Sequence, residues 1–298
     1  MTDTSAETWT APLTAAAASA EPFRLGSEAH KQLFCRTLLE TFNPYKPAVI
    51  DWPKLEPDAR DRLVSLPIWD IAVQIEGRAS LNVKSYSRLV ERDQLLRAAV
   101  DLNAFEEARH KRVLANLVQA YGIALEPEPE YRTPKDPEWA FMVTGYAECI
   151  DSFFAFGLFE LARRSGVFPP ELVDTFEPVM HEEARHILFF VNWVAWRRRN
   201  LPWWKRLWFA LRVAAVWTYL ARERIGIARG LGAGDGGGSN FTFTGAHHIG
   251  LDVSLRGLID TCLAENDRRL GPYDSRLVRP HFVPAMVRLA KWFAPASA

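Results

Sequence analysis

The same five-residue word, Glu-Glu-Ala-Arg-His, stands twice in the chain, at residues 106–110 and 182–186. In each copy the second glutamate and the histidine are three apart: Glu107 with His110, and Glu183 with His186. On an α-helix, positions i and i+3 share a face, so both side chains can reach one metal ion. A carboxylate beside an imidazole is a donor mix suited to iron or manganese. Val100, Asn103 and Leu114 share the stripe of the first pair, and Phe176, Val179 and Phe190 that of the second. One Glu-x-x-His on a solvated helix face is common. Two copies on apolar stripes put charge where it is costly unless a cation balances it.

A dimetal site of this kind takes one further glutamate from each of two other helices. Glu76 lies in an otherwise apolar run beside Gly77 and Ala79. On the third helix Glu148 and Glu160 compete. The turn to the next helix falls near Gly166; Glu148 is 18 residues before it and Glu183 17 after it, while Glu160 is only 6 before it. At about 1.5 Å of rise per residue, Glu160 sits too shallow to meet Glu183, so Glu148 is preferred. Glu160 is expected to cap or salt-bridge near the helix end.

Helical periods dominate from about residue 65 to 229, and strand signals are scarce. Four helices are expected at about 67–86, 90–121, 137–164 and 170–199. The second stops at Tyr121-Gly122 and the third at Ser165-Gly166. Between the two hairpins runs IALEPEPEYRTPKDP, too rich in proline to be helical throughout. About 15 extended residues reach roughly 45 Å, enough for one hairpin to cross over and pack on the other. The expected fold class is all-α, a four-helix bundle with additional C-terminal helices. A disordered tail is expected over 1–22, a helical di-metal domain over 23–229 with its core at 67–199, a Gly-rich linker over 230–240 and a helical extension over 241–298. That extension is expected to carry a short basic helix at about 274–292.

On these motifs the chain resembles the ferritin-like di-iron carboxylate superfamily. The twice-written acidic-Glu-x-Arg-His looks most like the large subunits of bacterial multicomponent monooxygenases and the aerobic ring cyclases of chlorophyll synthesis. The resemblance covers about residues 67–199 and implies Glu76, Glu107, His110, Glu148, Glu183 and His186 as ligands of two iron ions, with a Mn/Fe pair as a variant. It implies O₂ as co-substrate, an external electron donor of the ferredoxin or reductase type, and hydroxylation or a related oxidation of a small apolar molecule. In those monooxygenases an Asp before each motif Glu hydrogen-bonds a metal-bound His. Glu106 and Glu182 hold these places here, with Arg109 and Arg185 as further partners behind the ligands. The extra His of arylamine N-oxygenases would fall at Val179, so His181 is not counted as a ligand. The radical Tyr of ribonucleotide reductase small subunits would fall at Leu114.

Lys+Arg and Asp+Glu are both 36, which argues against a nucleic-acid partner. The three cysteines are far apart and form no CxxC pair, which fits a reducing, cytoplasmic setting. Phe153, Phe154, Phe156 and Phe159 read mostly as core packing. In 197–229, nine Lys/Arg face one acid, Glu223, with tryptophans interleaved. That stretch reads as a fifth helix covering the bundle or as an amphipathic helix on a membrane surface, the first being preferred. A homodimer is compatible with all of this. The competing function is iron handling as a ferroxidase or store; the more than 90 residues beyond the fourth helix favour a substrate pocket instead.

Overall fold

A computed structural model describes residues 22–231 and 254–293. Residues 232–253, with most of the expected linker, nearly all of the expected tail and the last five residues lie outside these, while α8 runs to Leu231, past the linker's expected start at 230. Among the described residues every regular element is helical. The helices are α1 (Glu28–Glu40), α2 (Pro57–Val64), α3 (Trp69–Ser87), α4 (Gln94–Tyr121), α5 (Pro137–Ser165), α6 (Pro170–Asp174), α7 (Glu177–Asn200), α8 (Trp203–Leu231), α9 (Leu255–Leu270) and α10 (Phe282–Phe293).

The boundaries follow local chemistry. Asp93 caps α4 by accepting from the Leu96 N–H, and Asp136 caps α5 by accepting from the Trp139 N–H, with Pro137 at the first turn. Gly122 and Gly166 end α4 and α5 with φ of 67° and 65°, a left-handed conformation that costs a glycine little. The expected fourth helix is in fact two, α6 and α7. Pro178 has no N–H to bond the preceding turn, so the helix restarts there. The basic helix expected at 274–292 begins only at Phe282. Residues before it are tied as a turn, with Asp274 accepting from the Arg276 backbone and guanidinium. Helices α1 and α2 were not anticipated from sequence; α9 falls within the expected C-terminal helical extension, though its bounds were not read.

The long helices close a ring: α3 packs along α4 and α5, α5 along α7, and α4 touches α7. On the outside of the α4–α7 seam lies α1, in contact with both. Phe34, Cys35 and Leu38 of α1 are fully buried there. Helix α9 packs along α5, so closely that a Cβ on Gly157 would stand 2.3 Å from Cys262 Sγ. Helix α8 packs on α5 and α7 through Phe209, Val216 and Leu220. Phe153 and Phe156 are core residues, whereas Phe159 borders a cavity.

Candidate metal centre

The two Glu-Glu-Ala-Arg-His words face each other across the α4–α7 seam. One donor atom from each of Glu107, His110, Glu183 and His186 comes within 4.8 Å of all the others. All four residues are buried. His186 Nδ1 stands 2.8 Å from Glu107 Oε1, and His110 Nδ1 stands 3.1 Å from Glu183 Oε1 and 3.7 Å from Glu76 Oε2. Glu148 of α5 adds a fourth carboxylate close enough for its charge to be felt by Glu107, Glu183 and Glu76. Ser152, one turn along α5, donates to Glu183 Oε2 at 2.8 Å and fixes that carboxylate. Glu160 lies apart, held by Arg163 and Arg164 at the end of α5.

The far nitrogens of the imidazoles are engaged by a crossed pair of bonds. His110 Nε2 on α4 donates to Glu182 Oε2 on α7, and His186 Nε2 on α7 donates to Glu106 Oε2 on α4, each at 2.8 Å. A carboxylate only accepts, so the Nε2 atoms carry protons, and the inward Nδ1 atoms would offer their lone pairs once a cation replaced the protons that Glu183 and Glu107 draw to them. Each motif therefore supplies the hydrogen-bond partner for the other motif's histidine.

Both outer glutamates are bound in turn by guanidinium groups. Arg185 Nη2 donates to Glu106 at 2.6 Å and its Nη1 to the Leu38 carbonyl of α1 at 2.8 Å. Arg109 donates to Glu182 and to the carbonyls of Asn43 and Tyr45, and its guanidinium lies 4.0 Å from the Tyr45 ring centre. Tyr45 Oη completes the ring by donating to Glu182 Oε2 at 3.3 Å. Two carboxylates and two guanidiniums are thus buried together with charges that cancel, the condition under which buried ions persist.

Sequence reading located the four outer residues but not Tyr45, Ser152 or α1. A signal for α1 existed: Ser27 as cap before Phe34, Cys35 and Leu38 on one helical face. Nothing in the spacing points to Tyr45. His181 sits away from the cluster, 3.2 Å from Tyr273 Oη.

Electrostatics show what the cluster lacks. Burial, then the charge of Glu107, holds the Glu148 carboxyl well above the usual carboxylate range. Burial likewise pushes Glu76 up to about 8, against the pull of His110. Burial would lower both imidazoles, but the neighbouring carboxylates of Glu182 and Glu183 hold His110 well above its ordinary value, and those of Glu107 and Glu106 do the same for His186. The group therefore gathers protons to offset its own negative charge.

The residues fit a metal. Glu107 Oε1, His110 Nδ1 and His186 Nδ1 are buried with no hydrogen-bond partner. A lone pair facing a lone pair at 2.8 Å needs a proton or a cation between them. Two donors each about 2.1 Å from one ion stand roughly 3 Å apart. The buried Glu/His cluster can hold a metal ion.

Against this centre opens a cavity of about 780 Å³. Glu76, Glu107, His110, Glu148 and Glu183 form its polar floor, and its walls are mainly apolar, including Leu114, Val143, Phe159 and Val179. Tyr219 and Glu223 of α8 also line it, so α8 contributes to the cavity wall.

No family model matches the chain, and no curated protein or solved structure matches it.

Proposed function

We propose that the chain is an O₂-activating di-iron oxidase or oxygenase that acts on a small apolar organic molecule. The observation that carries this reading is the junction of the carboxylate/histidine cluster with the apolar cavity. A store needs access for iron and room for mineral, and greasy walls of 780 Å³ offer neither. They fit an organic substrate held against the metal-facing carboxylates.

Glu76, Glu107, His110, Glu148, Glu183 and His186 are the proposed ligands, the reading implied by the ferritin-like resemblance and supported by the ring of four long helices. Four carboxylates offset the four positive charges of two ferrous ions, so the loaded centre is neutral in a buried setting. When bound, the iron pair supplies the reductive activation of O₂. The chain's own contribution is positional. Glu106 and Glu182 keep each imidazole in one tautomer and one orientation. Ser152 holds one oxygen of Glu183, leaving the other for the metal. The apolar wall excludes water and orients the substrate. Electrons come from an external donor, since three buried cysteines and no cofactor motif offer no internal source.

The test is stepwise loading with Fe(II). Anaerobic protein should take up about two ions per chain, the number that six ligands of this type hold. Air should then give one diferric species that does not grow with further iron, and renewed O₂ uptake should require added reductant. Uptake of iron far beyond this, kept soluble in air, would establish the store instead.

A further inference from the structure

Large exposed apolar side chains gather on α8 and α10. The outward side of α8 carries Trp203, Trp204, Leu207, Trp208 and Leu211, with Trp203 78 % exposed. One face of α10 presents Phe282, Met286, Leu289 and Trp292, the last 85 % exposed. The two helices meet where the Trp217 and Phe282 rings stand 4.4 Å apart. Soluble surfaces scatter large apolar side chains singly, whereas this one gathers them on two neighbouring helices.

We infer that this face docks onto an anionic lipid bilayer, lying in its surface. Three observations choose lipid over other occupants. Tryptophan dominates the face, and its indole prefers the boundary between acyl chain and headgroup. Cations flank it: Lys205, Arg206, Arg222 and Arg288 are exposed, while Arg197, Arg212 and Arg224 of the same stretch are paired with Glu138, Asp136 and Asp151. A bilayer accepts such a rim through its headgroups. A second copy of the chain meeting the same face would set Lys205, Arg206, Arg222 and Arg288 against their own equivalents, because the neighbouring acids Glu138, Asp136, Asp151 and Asp260 are already paired with Arg197, Arg212, Arg224 and Lys291. Finally, no helix among the described residues is long and apolar enough to cross a membrane, so the contact is with one leaflet.

Tyr219 belongs to α8 and also lines the cavity, so docking sets the cavity beside the lipid. An apolar substrate would then pass from bilayer to cavity without entering water. That corollary rests on the proposed function; the docking itself does not.

Flotation of the full chain with vesicles tests the docking. At low salt the chain should float with phosphatidylcholine vesicles containing phosphatidylglycerol, and much less with phosphatidylcholine alone. Trp208→Glu and Trp292→Glu should each weaken partitioning about tenfold or more, the effect of losing one buried aromatic. Lys205→Ala should weaken it roughly fivefold. Leu89→Glu, exposed at the α3–α4 turn, should leave it unchanged. Circular dichroism and metal content confirm that each variant is folded; if Trp208→Glu is not, Trp292→Glu decides. A chain that stays below anionic vesicles at low salt overturns the inference. So does equal loss with Leu89→Glu, or a dimer by light scattering that Trp208→Glu splits while no vesicle binding is seen.

Discussion

Tyr45 and Glu182 meet at 3.3 Å, phenol oxygen to carboxylate oxygen, and the same Glu182 holds His110 at 2.8 Å. A residue in the segment after α1 is thereby two hydrogen bonds from a histidine of the proposed centre. Its ring also underlies Arg109. Tyr45→Phe keeps that ring and loses only a long bond, so it should cost about 1 kcal/mol or less. Tyr45→Ala removes the ring and should cost about 3 kcal/mol. Thermal unfolding of both variants, with metal content alongside, gives the answer; equal losses would mean the hydroxyl matters more than the ring.

The crossed bonds make a sharper prediction. Glu106→Ala leaves Arg185 buried without its carboxylate, at a cost of about 3–5 kcal/mol. It should also loosen His186, which lies on the other helix, and cut metal affinity roughly 10–100-fold. Changing Glu106 and Arg185 together to methionine should recover much of the stability but none of the metal affinity. Recovery of both would show that the outer pair acts on folding alone.

Glu148 and Glu160 separate ligand from bystander on one helix. Glu148→Ala should lower bound iron well below two ions per chain, and so should Glu76→Ala. Glu160→Ala, which only frees Arg163 and Arg164 at the helix end, should keep full metal content. The reverse result on metal analysis would refute the choice of Glu148.

Protonation gives the pH dependence a sign. With the Glu76 carboxyl raised to about 8 in the metal-free chain, neutral solution finds it protonated. A cation must displace that proton, so binding of Mn(II) near pH 7 should release protons, and affinity should climb as pH rises from 5 through 8. Calorimetry in buffers of different ionisation enthalpy counts them. A carboxyl raised on folding stabilises the native state below its unfolded value and loses that contribution as pH rises through the folded one. Metal-free protein should therefore melt lower at pH 8 than at pH 5. A melting temperature that rises over that range would contradict the assignment.

At the α5–α9 contact, Gly157→Ala forces a methyl against the Cys262 side chain and backbone. Overpacking of this type costs about 1–3 kcal/mol. Tm should fall while metal content stays unchanged; loss of metal would mean α9 supports the centre directly.

Much of this was legible in the chain. Two i, i+3 pairs on apolar stripes fix which faces turn inward, and counting from Gly166 selects Glu148 over Glu160 before any coordinates exist. The all-α class and the stops at Gly122 and Gly166 follow from period and punctuation. What spacing cannot express is depth between helices. That Glu106 serves His186 rather than His110 depends on how α4 and α7 are set side by side, which no single-helix pattern encodes. The break at Pro178 was visible as a proline, but the helix expected over 170–199 was carried across it. Helix α1 is short, and its burial depends on a groove that exists only once α4 and α7 are in place.

The exchange of carboxylates between α4 and α7 has a topological consequence. His110 is served by Glu182, and nothing in that bond requires the two to lie on one polypeptide. Two chains that traded their α5–α7 halves would rebuild the same buried bonds, so the chemistry of the centre is blind to domain swapping. The choice falls to the segment between Gly122 and Asp136, which Tyr131 pins against Gly77 of α3 and Lys111 of α4 pins through Glu128. This strap, which supplies none of the proposed ligands, is what makes the unswapped chain the shorter path.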